Sequence, residues 1–419
     1  MEHLIPKIKL NKKNNNEKMQ PLKVDHENNP SLQKIIEAFE NSDKVTLGYS
    51  TLEKDNNVTK PTLKKKVLYM TGSSLRDHLN GKTFQKYNLV TNATPEETRL
   101  ILKFFKFSEF QPFNQEFSAK YLKLSKTSNN PYKFCANKWD SYGNEMGFEI
   151  TVKNQILEIE TLNENNKTSS EKPSLRKFTN SLYEDAVTRD FTVNSVYLKL
   201  KNSEGENTEL FDPIHGVHDI VHNEIHFATN ADEKIQETPV LMFKLIELCT
   251  RFCENSKISN VNIDIIKANI DNTKNYPRQF KNNFISAINN DDVPTFNYLK
   301  NLYVSGLVFK LFPKLKIHSP HISLFNDYLF VIAYLLQNNS DHEIFDNLIK
   351  LDYHKFEIKE ILFIKAIIDW AKTNNEEKLR SILLHVTNVP IHKAILFVKI
   401  FNKEKEFKKI LEKYSNEVI

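Results

Sequence analysis

Glu184-Asp185-Ala186-Val187-Thr188-Arg189-Asp190-Phe191-Thr192-Val193-Asn194-Ser195 is the stretch from which the rest of the chain can be placed. It runs into a β-type segment, 192–200, and is followed by Phe211-Asp212-Pro213-Ile214-His215-Gly216-Val217-His218-Asp219-Ile220 and then Glu237-Thr238-Pro239. Upstream, a strand at 66–70 leads into Gly72-Ser73-Ser74-Leu75-Arg76-Asp77, a Leu79-Asn80-Gly81 turn and a second strand at 87–90. Thr94-Pro95-Glu96-Glu97 reads as a capping box with Pro at the first helical position, and places Leu100, Ile101, Phe104 and Phe105 on one apolar face. Further β-type runs fall at 148–152 and 156–159. A Gly-Ser turn between strand and helix presents N–H groups and a hydroxyl where a triphosphate can sit, although small residues there more often make only a tight turn.

These segments resemble the bacterial poly(A) polymerases and CCA-adding enzymes, class II nucleotidyltransferases of the polymerase-β superfamily. Gly72–Asp77 with Gly81 resembles the family's G-[GS]-x-V-R-D…L-x-G element, and 89–97 its strand-to-helix continuation. Residues 184–195 are similar to E-D-A-x-R-R-D-F-T-I-N-S, 211–220 to the D-P-x-x-G-x-x-D turn, and 237–239 to E-D-P. Five motifs in order over roughly 190 residues make a chance match improbable. The resemblance implies an α+β fold: a polymerase-β-like head, a small mixed sheet with helices, followed by an all-helical neck, body and tail. The expected boundaries are a disordered basic tail at 1–29, the head at 30–227, a nucleotide- or RNA-binding-like neck at 228–290, and body and tail at 291–419. Leu307-Val308-Phe309-Lys310-Leu311-Phe312-Pro313 resembles the family's G-L-L-x-x-L-F-P run in the body.

In that family nucleotidyl transfer uses two divalent metals held by an Asp-x-Asp pair on the second strand and a third acid on a neighbouring strand. At the matching positions this chain carries Lys86 and Asn88, while Leu157-Glu158-Ile159-Glu160-Thr161-Leu162 keeps the third acid as Glu158. An ammonium stands where a metal belongs, and a neutral amide is a weak ligand for Mg²⁺ without anionic help. An ion pair between Lys86 and Glu158 is therefore expected, because an unpaired buried carboxylate is costly. The alternative is a shifted metal site built from Asp77, Glu149 or Glu160. The paired Arg of R-R-D is Thr188-Arg189, and Thr238 and Leu241 replace the base-reading Asp and Arg beyond Glu237. By resemblance the nucleotide-binding-like positions are Gly72, Ser73, Arg76, Asp77, Arg189, Asp190, Asn194, Glu237 and Lys244. Several of these, with Asp212 and Gly216, can equally serve the fold through ion pairs and turns.

Composition bounds the rest. A chain of 419 residues, 40% hydrophobic with 29 Phe, excludes a stapled mini-protein and wholesale disorder. Eight Gly exclude a glycine-rich architecture, and three Cys cannot make a disulfide framework, which points to a reducing, cytoplasmic setting. The longest apolar run, 328–336, is too short to span a membrane. Net charge is +5, but residues 1–24 hold six Lys against two Glu, so the body is nearly neutral and no DNA partner is expected. Polar stretches at 164–172, 202–207 and 338–341 read as loops, and beyond about 235 the apolar period becomes helical. His215, His218, His222 and His226 would suit a metal on one helix, but the resemblance makes this region a turn and short strand on which the rings diverge, so no metal is expected. Cys249 and Cys253 read as core residues.

The function these features imply is that of a catalytically impaired poly(A)-polymerase-like protein acting by binding, with RNA or a protein such as an active paralogue as partner and no cofactor. Two alternatives stay open. One is an active RNA nucleotidyltransferase of poly(A) polymerase or CCA-adding type with an atypical Mg²⁺ site; the other is a structural subunit of a larger assembly.

Overall fold

The computed structural model describes residues 29–46, 62–82, 86–109, 132–139, 145–152, 155–164, 177–201, 209–275, 277–312, 327–377, 398–399 and 401–415. The tail up to 28, the polar stretches 165–172 and 202–207, and Pro313 lie outside them. The chain divides into two compact units, Met1–Thr229 and Asn230–Ile419.

The first unit is built on an eight-stranded mixed sheet. Its strands in chain order are β1 (Leu68–Met70), β2 (Lys86–Thr91), β3 (Ser108–Glu109), β4 (Tyr132–Trp139), β5 (Glu145–Val152) and β6 (Gln155–Thr161). After the small hairpin β7 (Asn163–Glu164) and β8 (Lys177–Phe178) come β9 (Tyr197–Lys199) and β10 (Leu210–Phe211). The spatial order is β10-β9-β1-β2-β6-β5-β4-β3. Because β2 runs parallel to β6 while β1 and β5 are antiparallel to their neighbours, the two strands carrying the matched acid positions lie side by side at the sheet's centre.

Helix Pro30–Glu40 starts where the Asn29 carboxamide accepts from the N–H groups of Ser31 and Leu32, and buries Leu32, Ile35, Ile36 and Phe39. The capping box at Thr94 is present: Thr94 Oγ1 accepts from Glu97 N, and Thr94 N donates to the Glu97 carboxylate. The helix it opens, Pro95–Phe104, does not present the expected face. Ile101 and Leu102 are buried together with Thr98, whereas Leu100 and Phe104 are exposed. The helix packs on Pro30–Glu40 and on β5 through the stripe at positions 95, 98, 101 and 102, a spacing that leaves 100 and 104 outside.

Two further expectations are corrected. The run 192–200 is not one strand: Thr192–Asn194 form a 3₁₀ turn and only Tyr197–Lys199 join the sheet. Side chains outcompete the ladder here, with Ser195 Oγ donating to Phe191 O and Asn194 Nδ2 to Asp190 Oδ1. The segment after Asp212 is a helix, Gly216–His222, not a turn and short strand. Both Asp212 oxygens accept from its first N–H groups, Gly216 N at 2.6 Å and Val217 N at 3.0 Å, and so start a helix that the turn motif alone does not reveal. His218 and His222 therefore stack on one face, with ring centroids 4.1 Å apart, instead of diverging.

The second unit is helical, with no strand among the described residues. Helix Leu241–Phe252 buries Leu241, Leu245, Leu248 and Cys249, and helix Lys355–Thr373 buries Ile361, Ile364, Ile367 and Ile368. Cys249 accepts a weak hydrogen bond from Asn262, and Cys253 is half-buried at the helix end. Among the described residues no helix is long and apolar enough to cross a membrane.

Candidate active site

Strand register determines the site. Asn88 of β2 lies opposite Glu158 of β6, Glu158 opposite Glu149 of β5, and Glu149 opposite Cys135 of β4. Directly paired residues share a sheet face, so amide, two carboxylates and thiol form one polar row across four strands. Lys86 and Glu160 are on the same face by alternation. The expected ion pair is present, between Lys86 Nζ and Glu158 Oε1; the lysine side chain is 40% exposed and the glutamate 13%.

Asn88 is where the sheet meets helix Gly72–Leu79. Its amide oxygen accepts from Ser73 Oγ at 2.8 Å, its N–H donates to Ser74 Oγ at 3.0 Å, and its carbonyl accepts from Thr71 N at 2.9 Å. Gly72 has φ +62°, and a Cβ there would lie 3.6 Å from Asn88 Cβ and 3.9 Å from Arg189 Nη1. The glycine is thus required by backbone conformation, and it puts the start of the helix beside the amide and the guanidinium.

A second network holds the motif residues behind this point. Arg76 contacts Asp77 Oδ1 through Nε and Nη2 and donates to Asn194 Oδ1 at 2.7 Å; Asn194 in turn donates to Asp190 at 2.9 Å. Arg189 Nε reaches Asp185 Oδ2 at 2.8 Å and Tyr197 Oη at 3.0 Å. Burial disfavours the Arg189 charge, but Asp185, Tyr197 and Glu160 outweigh it and hold the guanidinium protonated. Asp185 also accepts from Tyr197 Oη and from Asn163 N, so it ties the helix Leu182–Thr188 to β9 and β7.

Glu149 is the unbalanced member of the row. It is 6% exposed, and its Oε1 has no hydrogen-bond partner. Burial first, then Glu158, push its carboxyl above the ordinary range, and Lys86 offsets this only in part. The acids of a shifted metal site are not assembled. Asp77 is engaged by Arg76 and Glu160 faces Arg189, leaving Glu149 and Glu158 side by side. A pair of divalent cations needs several anionic oxygens, and this donor set offers an ammonium, a neutral amide, a carboxylate already bound to the ammonium and the buried Glu149 carboxyl, which is pushed toward its protonated form. It does not fit two metals.

The structure thus gathers Gly72, Ser73, Arg76, Asp77, Lys86, Asn88, Glu158, Arg189, Asp190 and Asn194 around the start of one helix and two strands. Glu237 and Lys244 belong to the second unit: Glu237 ends helix Ala231–Glu237 and Lys244 is exposed on helix Leu241–Phe252. Cys135 and the Asp185–Tyr197 contact are not apparent from the sequence motifs. Only strand pairing brings the thiol to Glu149, and the signal for the contact was the second letter of the Glu184-Asp185-Ala186 run.

A mixed sheet with this helix junction defines a nucleotidyltransferase-type head. Residues 128–226 match the Poly A polymerase head domain. The CCA-adding enzyme of Staphylococcus saprophyticus is 23% identical over 185 residues, 44% of this chain and 37% of that protein, so the match spans a little over a third of the curated relative. Among solved structures, a CCA-adding enzyme in apo form II aligns over 95% of this chain and 88% of its own, with TM-score 0.59 and 15% identity. The Thermotoga maritima CCA-adding enzyme complexed with tRNA aligns over 84% of this chain and 78% of its own, with TM-score 0.53 and 15% identity. Residues 128–226 thus match a Poly A polymerase head domain, and the chain is similar to CCA-adding enzymes in part of its sequence and in its fold.

Proposed function

We propose that this chain is a catalytically impaired member of its family that acts by binding RNA. The observation that carries the proposal is the Lys86–Glu158 ion pair, with neutral Asn88 in register beside it. The ammonium compensates the retained acid, so the head stays folded without the metals that phosphoryl chemistry requires. RNA is favoured as the partner by the match to the Poly A polymerase head domain and by the likeness to the Thermotoga maritima CCA-adding enzyme complexed with tRNA. A protein partner, such as an active paralogue, is the other outcome of the same test.

The test is incubation of the purified chain with labelled ATP or CTP, Mg²⁺ or Mn²⁺, and a tRNA or oligoadenylate primer. The expected result is no extension, together with RNA retention that falls steeply with salt. Retention of neither would turn the search to protein partners by co-purification.

A second reading, an active nucleotidyltransferase with an atypical metal site, is favoured by one feature. Buried Glu149 has an unpartnered oxygen and adjoins Glu158, so two carboxylates share the sheet face. Primer extension that is lost in both Glu149→Gln and Glu158→Gln would establish that reading and reject the first.

A further inference from the structure

We propose that the helix Gly216–His222 and the turn after it form a binding site for a single first-row transition-metal dication of the zinc type, with His218, Asp219 and Glu224 as ligands. One ligand atom from each of the three lies within 4.8 Å of the other two. His218 Nδ1 is 3.4 Å from Asp219 Oδ1. A tetrahedral ion with bonds of about 2 Å sets its ligand atoms about 3.3 Å apart, so the group needs only side-chain adjustment to close on an ion.

The carboxylate at the centre is prepared for the role. Asp219 is 6% exposed. Its Oδ2 accepts from Thr192 Oγ1 and faces His226 Nδ1 at 3.1 Å, which leaves Oδ1 turned to His218. Thr192 also fixes the far side of the site, because its N–H donates to the His226 carbonyl at 3.0 Å. Asn223, at φ +56°, reverses the chain after the helix, and Glu224 N then donates to Asp219 O at 2.9 Å, which brings the third ligand back beside the second. A hydrogen-bonded ligand carboxylate with a supporting imidazole is the outer arrangement that orients metal sites in general. One imidazole nitrogen with two carboxylate oxygens suits zinc, cobalt or manganese and is a poor set for Mg²⁺ or Ca²⁺.

His222 stacks on His218, but its Nδ1 lies 2.8 Å from the His218 carbonyl, so it is assigned to the helix and not to the ion. The site involves only residues of the first unit and is independent of the Lys86–Glu158 pair.

The full-length protein, stripped with chelator and dialysed, would be titrated with Zn²⁺ against a chromophoric chelator, and with Co²⁺ by visible absorption. One equivalent should bind, Mg²⁺ should not compete, and thermal unfolding should shift upward with Zn²⁺. His218 and Glu224 are exposed, so His218→Ala and Glu224→Gln leave the core untouched. Each should weaken the affinity by at least about tenfold, while His222→Ala should not change it. No zinc binding to the wild type, binding indifferent to the His218 and Glu224 variants, or a loss in His222→Ala equal to that in His218→Ala would each overturn the assignment.

Discussion

Lys86 and Glu158 stand on adjacent parallel strands, two residues off direct register and on the same sheet face, and their side chains meet in an ion pair. The lysine is 40% exposed, so the pair itself contributes about 1 kcal/mol or less. Both partners also act on Glu149, which burial and then Glu158 push toward the protonated form and Lys86 draws back in part. In the folded chain Glu149 keeps its proton to a higher pH than in the unfolded chain. Its contribution to stability is full below the ordinary carboxylate range and is lost as pH rises through the raised folded value. Glu149→Gln should therefore stabilise the protein at pH 7 and be close to neutral near pH 4, and Lys86→Met should destabilise it at pH 7 and less on acidification. Urea unfolding of the three proteins at both pH values checks this; a Glu149→Gln protein less stable than wild type at pH 7 would contradict the assignment of the strain to that carboxylate.

Restoring the missing acids is the converse experiment. Lys86→Asp with Asn88→Asp replaces an ammonium and an amide by two carboxylates beside Glu158 and Glu149. Without a divalent cation these charges repel, so the double variant should be less stable than wild type in chelator and regain stability with Mg²⁺ or Mn²⁺. The wild type should show no such dependence in the same melting experiment when Mg²⁺ is the added ion. Equal Mg²⁺ responses of the two proteins would mean that the native row already holds the ion.

Gly216 is fixed by contact, not by conformation. A Cβ there would lie 2.1 Å from Thr192 O and 2.8 Å from Val196 Cγ2, at the start of the helix whose first N–H groups both Asp212 oxygens hold. Gly216→Ala should cost about 2–3 kcal/mol, read as a lower urea midpoint with an unchanged slope. Gly81, with φ +66° and nothing within 4 Å, should respond through backbone strain alone and cost less, about 1 kcal/mol, in the same measurement.

The sequence motifs reach as far as local chemistry does. The Thr94 cap and the Gly72 turn are legible because each depends on residue types at fixed spacing, and the Lys86–Glu158 pair is legible through the resemblance that matches both positions to the family's acids. What stays hidden depends on distant partners. Leu100 and Phe104 look like core but face outward, because the helix is turned by its packing on Pro30–Glu40 and β5. Asp212 makes a helix out of a turn by accepting two N–H groups, and the histidine face that results is invisible until that helix exists. Cys135 stands in none of the motifs, and only the pairing of β4 with β5 sets it against a carboxylate.

That last pairing has a chemical consequence. Burial, and then the neighbouring charge of Glu149, push the Cys135 thiol up to about 12. The nucleophile in alkylation is the thiolate, so at pH 8 Cys135 should be nearly inert in the folded protein and react with iodoacetamide only after unfolding. Cys253, half-buried at the end of its helix, should be modified faster than Cys135 under the same conditions. Peptide mapping by mass spectrometry after timed alkylation distinguishes the sites. Because burial is the larger cause, Glu149→Gln should leave Cys135 protected, whereas a substitution that opens the β4–β5 pairing should release it. Rapid labelling of Cys135 in the intact wild type would show that the polar row is open to solvent, and with it the desolvation on which the Glu149 prediction depends would fall.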